Sequence, residues 1–287
     1  MKYLCLLLIL SSTVMADVTQ DLTLQAIREH WTFDFKAPTR IFGKGLVKKA
    51  GLRATAHRIV IKAATNLPAH FDLTPSLTPV EDQGSCGGCW AFAITGTVEN
   101  FPYAGTPAKS ILLSQQDMID CDSQSNGCGG GDFDGFDYAE QSGLANVDDY
   151  PLVGQNTTCR QDVAKRAKVT SWAFVSGSEN QEPTVDQIKT ALYQSQAPIT
   201  VGIHAGLALE SYNGGIMNSC GFLGGINHMV DIVGWDDTDG TWIVRNSWGA
   251  SWGENGYFRI LRQNGAGMKC LSIGSEAAVL TNASLVN

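Results

Sequence analysis

The chain has 287 residues, 44% hydrophobic and 17% charged, with a formal net charge of −8. That length allows one or two domains with a real core. The acidic balance argues against nucleic acid as a partner, and no apolar run is long enough to cross a membrane. Residues 1–16 read as a secretory signal peptide. Lys2 is its basic start, Leu4–Leu10 its apolar stretch and Val14-Met15-Ala16 its cleavage site. Cleavage there implies an oxidising compartment and no membrane attachment afterwards.

Residues 17–66 read as a prosegment. They carry nine Lys/Arg against four acids, whereas 67–287 carry ten against 24, so a segment of net +5 faces a domain of net −14. Such complementarity suggests an inhibitor held by charge, anchored by the aromatic residues Trp31, Phe33 and Phe35. The mature start is expected near Asn66 or Leu67. Beyond it, Trp90–Phe101 is apolar and helix-compatible, placing Cys89 at or near a first turn. Ser114-Gln115-Gln116-Asp117 reads as a capping box opening a second helix through Cys121. Asp132–Gln141 predicts a third, stopped by Gly143, and Thr184-Val185-Asp186-Gln187 opens a fourth through about Gln194. The period then changes. Ile199–Ile203, Met229–Trp235, Thr241–Arg245, Gly256–Leu261 and Ala277–Leu280 read as strands between Gly and Asp turns. Helices early and strands late predict an α+β chain.

The chemistry concentrates in three places. Gln83-Gly84-Ser85-Cys86-Gly87-Gly88-Cys89-Trp90 sets a cysteine at a helix start with an amide six residues upstream. His228 follows Cys89 by 139 residues, and Asn246, opening Asn246-Ser247-Trp248-Gly249, follows it by 157. A thiol nucleophile, an imidazole base and an amide to orient it are what acyl transfer through sulfur requires. Two other readings of Cys86-x-x-Cys89 are weaker. A redox pair would need a βαβ context, and a zinc site would need repeated cysteine pairs. Of the other mature histidines, His70 lies near the mature start and His204 in an undistinguished Ile-His-Ala-Gly stretch.

These three motifs, in this order, resemble papain-like cysteine peptidases over about residues 67–287. One local departure is Gly88, where the family signature carries Ser or Ala. A longer hairpin at Asp236–Gly240 accounts for the spacing of Asn246. The resemblance implies a two-lobed papain-like fold, with a helical lobe, a β-barrel lobe and a cleft between them. It implies Cys89 as nucleophile, His228 as general acid/base, Asn246 as its orienter and Gln83 as an oxyanion donor. Trp248 would cover the His228–Asn246 bond, with Trp252 behind it. Seven cysteines remain after Cys5 leaves with the signal peptide, and six allow 15 pairings. The resemblance implies Cys86–Cys128, Cys121–Cys159 and Cys220–Cys270, leaving Cys89 free.

For substrate, Gly130 and Gly131 suit close approach of a backbone because no Cβ intrudes, and the resemblance implies main-chain pairing at Gly131, with Asn227 also lining the site. The pocket for the second residue before the scissile bond would draw on Asp132, Phe133, Gly202, Ile226 and either Ser275 or Glu276. Glu276 as its floor would admit a basic side chain. No long His-bearing insertion lies between Cys128 and Cys159, which points to an endopeptidase rather than a carboxydipeptidase. The expectation is a monomeric, secreted or lysosome-like zymogen. It would act on protein or peptide substrates, be inhibited by its own prosegment, and need no metal or cofactor. A catalytically inactive binding module and an acyl transferase are the alternatives. Asn156 and Asn282 sit in glycosylation sequons.

Overall fold

The computed structural model describes residues 20–26, 28–52, 57–107, 109–176, 182–220 and 224–286. The expected signal peptide lies outside them. Two short strands, β1 (Asp34–Phe35) and β2 (Arg58–Val60), belong to the N-terminal segment, and β3 (His70–Asp72) follows. Next come helices α1 (Cys89–Glu99), α2 (Gln115–Cys121) and α3 (Gly135–Gln141), then strands β4 (Leu144–Ala145) and β5 (Lys165–Ser176). The remainder is α4 (Val185–Ser195), β6 (Ile199–Ile203), α5 (Leu207–Glu210), β7 (Tyr212–Gly214), β8 (Ile216–Met217), β9 (His228–Asp236), β10 (Thr241–Arg245), β11 (Tyr257–Leu261) and β12 (Ala277–Leu285). One sheet runs β2-β5-β12-β6-β9-β10-β11-β8, with β3 pairing on β9 and β4 on β5. A separate pair joins β1 to β7.

Two cores form. One gathers Trp90, Phe133, Phe136 and Trp172 around the early helices. The other gathers Trp235, Trp242, Trp248 and Phe258 among the late strands. Helix α1 has every residue buried, as expected for a helix apolar on nearly all sides. Gly96 lets it approach the strands closely: a Cβ there would lie 3.1 Å from Asp231 Oδ2 and 3.2 Å from Arg245 Nη1. Strand β9 is buried almost throughout because β6 and β10 flank it. Helix α4 has the full capping box, in which Thr184 accepts from the Gln187 N–H and Gln187 reaches back to the Thr184 N–H.

Several bounds differ from the sequence expectation. Helix α1 begins at Cys89 itself and stops at Glu99, short of Phe101. Helix α3 begins at Gly135, because Asp132 is spent on a local turn in which its Oδ1 accepts from the Phe133 N–H. At α2, Ser114 caps the Asp117 N–H, but the Asp117 carboxylate turns inward to Lys165 and the Ala145 N–H, so the box is half made. Strand β5, twelve residues long, has no counterpart in the expectation.

Candidate active site

Cys89 is the first residue of α1, with Gly88 as its N-cap, and it is the free cysteine among those described. The turn before it is tied down by the Cys86–Cys128 disulfide. The others join Cys121 to Cys159 and Cys220 to Cys270. His228 opens β9, and Asn246 directly follows β10, its antiparallel neighbour. That register brings the two side chains together, with His228 Nε2 2.8 Å from Asn246 Oδ1. Its Nδ1 is left without a hydrogen-bond partner among the described residues. The sulfur lies within hydrogen-bond reach of the Met229 backbone N–H, one residue past His228. Trp248 stacks on the imidazole at 4.8 Å, with Trp252 edge-on behind it at 5.1 Å. The ring shields the His228–Asn246 bond from water.

Gln83 is buried beside this group. Its Nε2 donates to the Cys86 carbonyl at 2.8 Å, and its Oε1 accepts from the Ser247 hydroxyl. An amide nitrogen carries two protons, so one remains for a second acceptor. The Cys86 carbonyl, which can only accept, fixes which end of the amide faces which way, and Ser247 holds the oxygen end. Nothing local in the sequence marks that role beyond its place after Asn246.

The N-terminal segment fills the groove between the two cores. Gly45 N–H donates to Cys89 Sγ at 3.2 Å. Around it, the Gly131 N–H donates to the Gly45 carbonyl, the Val47 N–H to the Gly131 carbonyl and the Leu46 N–H to the Asn227 carbonyl, at 2.9, 2.9 and 3.1 Å. The bridge between Leu46 and Gly131 is parallel. Phe42 stacks on Trp248 at 4.5 Å, and the Trp248 indole donates to the Gly43 carbonyl at 3.0 Å. Further back, Phe33 is buried against Tyr212, with Trp31 and Phe35 packed around it. Gly130 lies alongside this path: a Cβ there would sit 2.6 Å from Val47 and 2.7 Å from the Gly45 carbonyl.

The expected pocket residues divide. Gly202 and Ile226 adjoin Leu46, since a Cβ on Gly202 would lie 2.7 Å from Ile226 and 3.0 Å from Leu46. Asp132 Oδ2 accepts from the Lys49 N–H at 2.7 Å, and Glu276 ion-pairs with Lys48 at 2.6 Å. Ser275 lies in the preceding turn, its N–H bonded to the Ser272 carbonyl. Phe133 is fully buried, edge-on to Phe174 at 4.9 Å in the helical core.

The ionisation of the pair is set by burial. A helix start and a neighbouring imidazolium would lower the thiol. Here burial beneath the segment dominates and pushes the Cys89 thiol up to about 11, although four backbone N–H groups pull the other way. Burial likewise lowers His228 to about 4, opposed by its bond to Asn246 and reinforced by nearby Lys44. Both side chains are 0% exposed. Burial penalises the charged form of each, so at neutral pH the covered pair is thiol and neutral imidazole.

A second polar cluster went unseen in the sequence. Behind the site, Glu81, Glu99 and Asp231 surround Arg245. Thr97 and Thr200 donate to Asp231, Thr78 and the Leu113 N–H donate to Glu99, and Gln115 donates to Glu81. Burial and the adjacent Glu99 push Glu81 up to about 8, with Arg245 opposing, and burial raises Asp231 to about 7. Only the tertiary fold brings these four residues together from distant stretches.

A family profile described as "Papain family cysteine protease" matches residues 67–280. "Cysteine proteinase 15A" of Pisum sativum is 34% identical, over 83% of this chain and 70% of its own length. "Cysteine proteinase RD21A" of Arabidopsis thaliana is 38% identical, over 75% of this chain and 47% of its own. A "Cysteine proteinase" of Theileria parva is 37% identical over 68% of this chain, which spans 43% of that relative. Among solved structures, the digestive procathepsin L2 proteinase of Tenebrio molitor superposes with a TM-score of 0.75 at 25% identity, covering 95% of this chain and 93% of that one. Recombinant stem bromelain precursor gives 0.72 at 26% identity, with coverages of 94% and 91%. The match to the profile spans most of the chain and includes Cys89, His228 and Asn246, so the chain belongs to the papain family of cysteine proteases.

Proposed function

We propose that this chain is a cysteine endopeptidase made as a zymogen, with residues 17–66 as its inhibitory prosegment. The strongest support is the free thiol of Cys89 at a helix start, beside the first residues of the strand that carries His228. In the uncovered enzyme, His228 Nδ1 takes the thiol proton and Sγ attacks the peptide carbonyl carbon. The oxyanion accepts from the remaining Gln83 Nε2 proton and the Cys89 N–H. Nδ1 then returns the proton to the leaving amine, and water hydrolyses the thioester by the same route. Asn246 holds the ring so that Nδ1 faces the sulfur, and Trp248 keeps water from that bond. Glu276, with Gly202 and Ile226, forms the pocket for the second residue before the scissile bond and admits arginine as well as apolar side chains.

A signal peptide over residues 1–16 sends the chain to a secretory or lysosome-like compartment, and processing near Leu67 leaves a monomeric domain. The test is to incubate the full chain with a mild thiol at mildly acidic pH, add a thiol-directed epoxide and map the adduct by mass spectrometry. An adduct on Cys89 in a chain beginning near Leu67 is expected. Processing with no adduct would favour the inactive-module reading instead. For the pocket, Glu276→Ala is expected to lower the preference for arginine over phenylalanine; an unchanged ratio would refute that assignment.

A further inference from the structure

Along its path over the sulfur, the N-terminal segment offers a cation at every stage. Arg40 meets Asp82 at 2.8 Å, Lys44 meets Glu210, Lys48 meets Glu276 and Lys49 meets Asp134. Gly45 fixes the register, because its N–H lies on Cys89 Sγ. Glu210 is therefore engaged one residue to one side of the sulfur and Asp134 four residues to the other. At most about 3.6 Å of chain per residue, the backbone of Lys49 falls within about 14 Å of that of Gly45. The Lys49 position is built for a cation. Asp122 Oδ2 and Asp134 Oδ1 are both buried without a hydrogen-bond partner among the described residues, and Lys49 is the positive charge near both. Loss of the segment would remove four cations at once and leave the carboxylates in place.

We propose that the vacated groove selects cationic peptides, Glu210 binding a basic side chain on one flank of the scissile bond and the Asp122–Asp134 pair binding one on the other. This rests on the peptidase reading above and adds its substrate class. The two flanks act independently of the Glu276 pocket, so a substrate with basic residues on both sides of the cut gains from each.

The experiment uses the chain after processing from its full-length form. Two internally quenched peptides share one apolar core and differ only in carrying Lys or Gln on both flanks. Partly exposed ion pairs are worth up to about fivefold each, so kcat/KM is expected to favour the Lys peptide by about 25-fold. In about 0.5 M NaCl the ratio should fall several-fold by screening. Glu210→Gln and Asp134→Asn are each expected to cut the Lys-to-Gln ratio about fivefold. Equal kcat/KM for the two peptides, both being cleaved, overturns the proposal and leaves the peptidase reading standing. If neither is cleaved, anisotropy of the labelled peptides decides. Salt-sensitive preference for the Lys peptide supports the cationic groove while the peptidase reading fails, and equal binding overturns both.

Discussion

Replacing Gly45 by alanine should unseat the N-terminal segment without touching the catalytic groups. A Cβ there would lie 1.7 Å from the Gly87 carbonyl oxygen and 2.4 Å from its carbon. Those atoms are backbone, in the turn clamped by Cys86–Cys128, so they have little room to yield. To reach ordinary contact at 3.4 Å the segment must lift by about 1.7 Å. That breaks the hydrogen bond from Gly45 to the sulfur and the three backbone bonds made by Gly45, Leu46 and Val47. At about 1 kcal/mol each, the hold weakens by about 4 kcal/mol, or about 10³-fold. In the intact wild-type chain the thiol is raised from 9.0 to about 11, which alone leaves about 100-fold less thiolate at neutral pH. The assay is the rate of alkylation at Cys89 in the uncut chain near neutral pH, read by mass spectrometry. Gly45→Ala is expected to react at least tens of times faster than wild type. Gly265→Ala, whose Cβ would meet nothing within 4 Å, serves as the control. A folded Gly45→Ala chain alkylated no faster than wild type would refute the account of how the site is closed.

Gln83→Ala is expected to lower kcat/KM of the processed chain by about 10²–10³ with little change in KM, measured by peptide hydrolysis. His228, held near 4 in the folded chain against an ordinary 6.5, binds fewer protons folded than unfolded across that window. Its contribution to stability is therefore intact above pH 6.5 and falls by about 3 kcal/mol as pH drops to 4. Urea titrations of wild type and His228→Gln should diverge across that range and nowhere else; parallel curves would contradict the burial argument. Glu81 has the opposite sign. Raised from 4.5 to about 8, it keeps its proton when folded, so its stabilising effect is complete below pH 4.5 and is lost as pH climbs through 8. Glu81→Gln, which preserves the acceptor for Gln115, should raise the thermal midpoint at pH 8–9 relative to pH 5, and an unchanged pH dependence would count against the cluster's assignment.

Features set by local chemistry were legible in the sequence, and those set by tertiary contact were not. Thr184 and Gln187 announce α4 because a capping box involves four consecutive residues. Asp132 looked like a helix start, but its carboxylate serves a turn and the Lys49 N–H instead. Strand β5 opens with a mixed Lys, Arg and Thr stretch in which only Ala167 and Val169 are buried, between exposed Lys168 and Thr170, too brief an alternation to mark twelve residues paired along β12. Cys89, His228 and Asn246 each sit in a distinctive short motif, and the fold brings them together. Glu210 and Asp134 carry no such motif. Their only trace is in their partners, Lys44 and Lys49, within the basic stretch of the N-terminal segment. The reversed ionisation of the thiol could not be read at all, since it follows from Gly43 and Gly45 lying flat against backbone.

The segment over Cys89 is joined to the body through residues 50–66, and that tether has a consequence of its own. A short covalent connection holds a ligand at an effective concentration on the order of 1 mM. Once cut near Leu67 and diluted to about 1 μM, the ratio of covered to uncovered groove would fall about 10³-fold, with every bond in the groove unchanged. A single backbone scission can thus act as the switch by dilution alone, without any rearrangement of the groove. Reversal would then depend on how quickly the freed fragment drifts away or is destroyed.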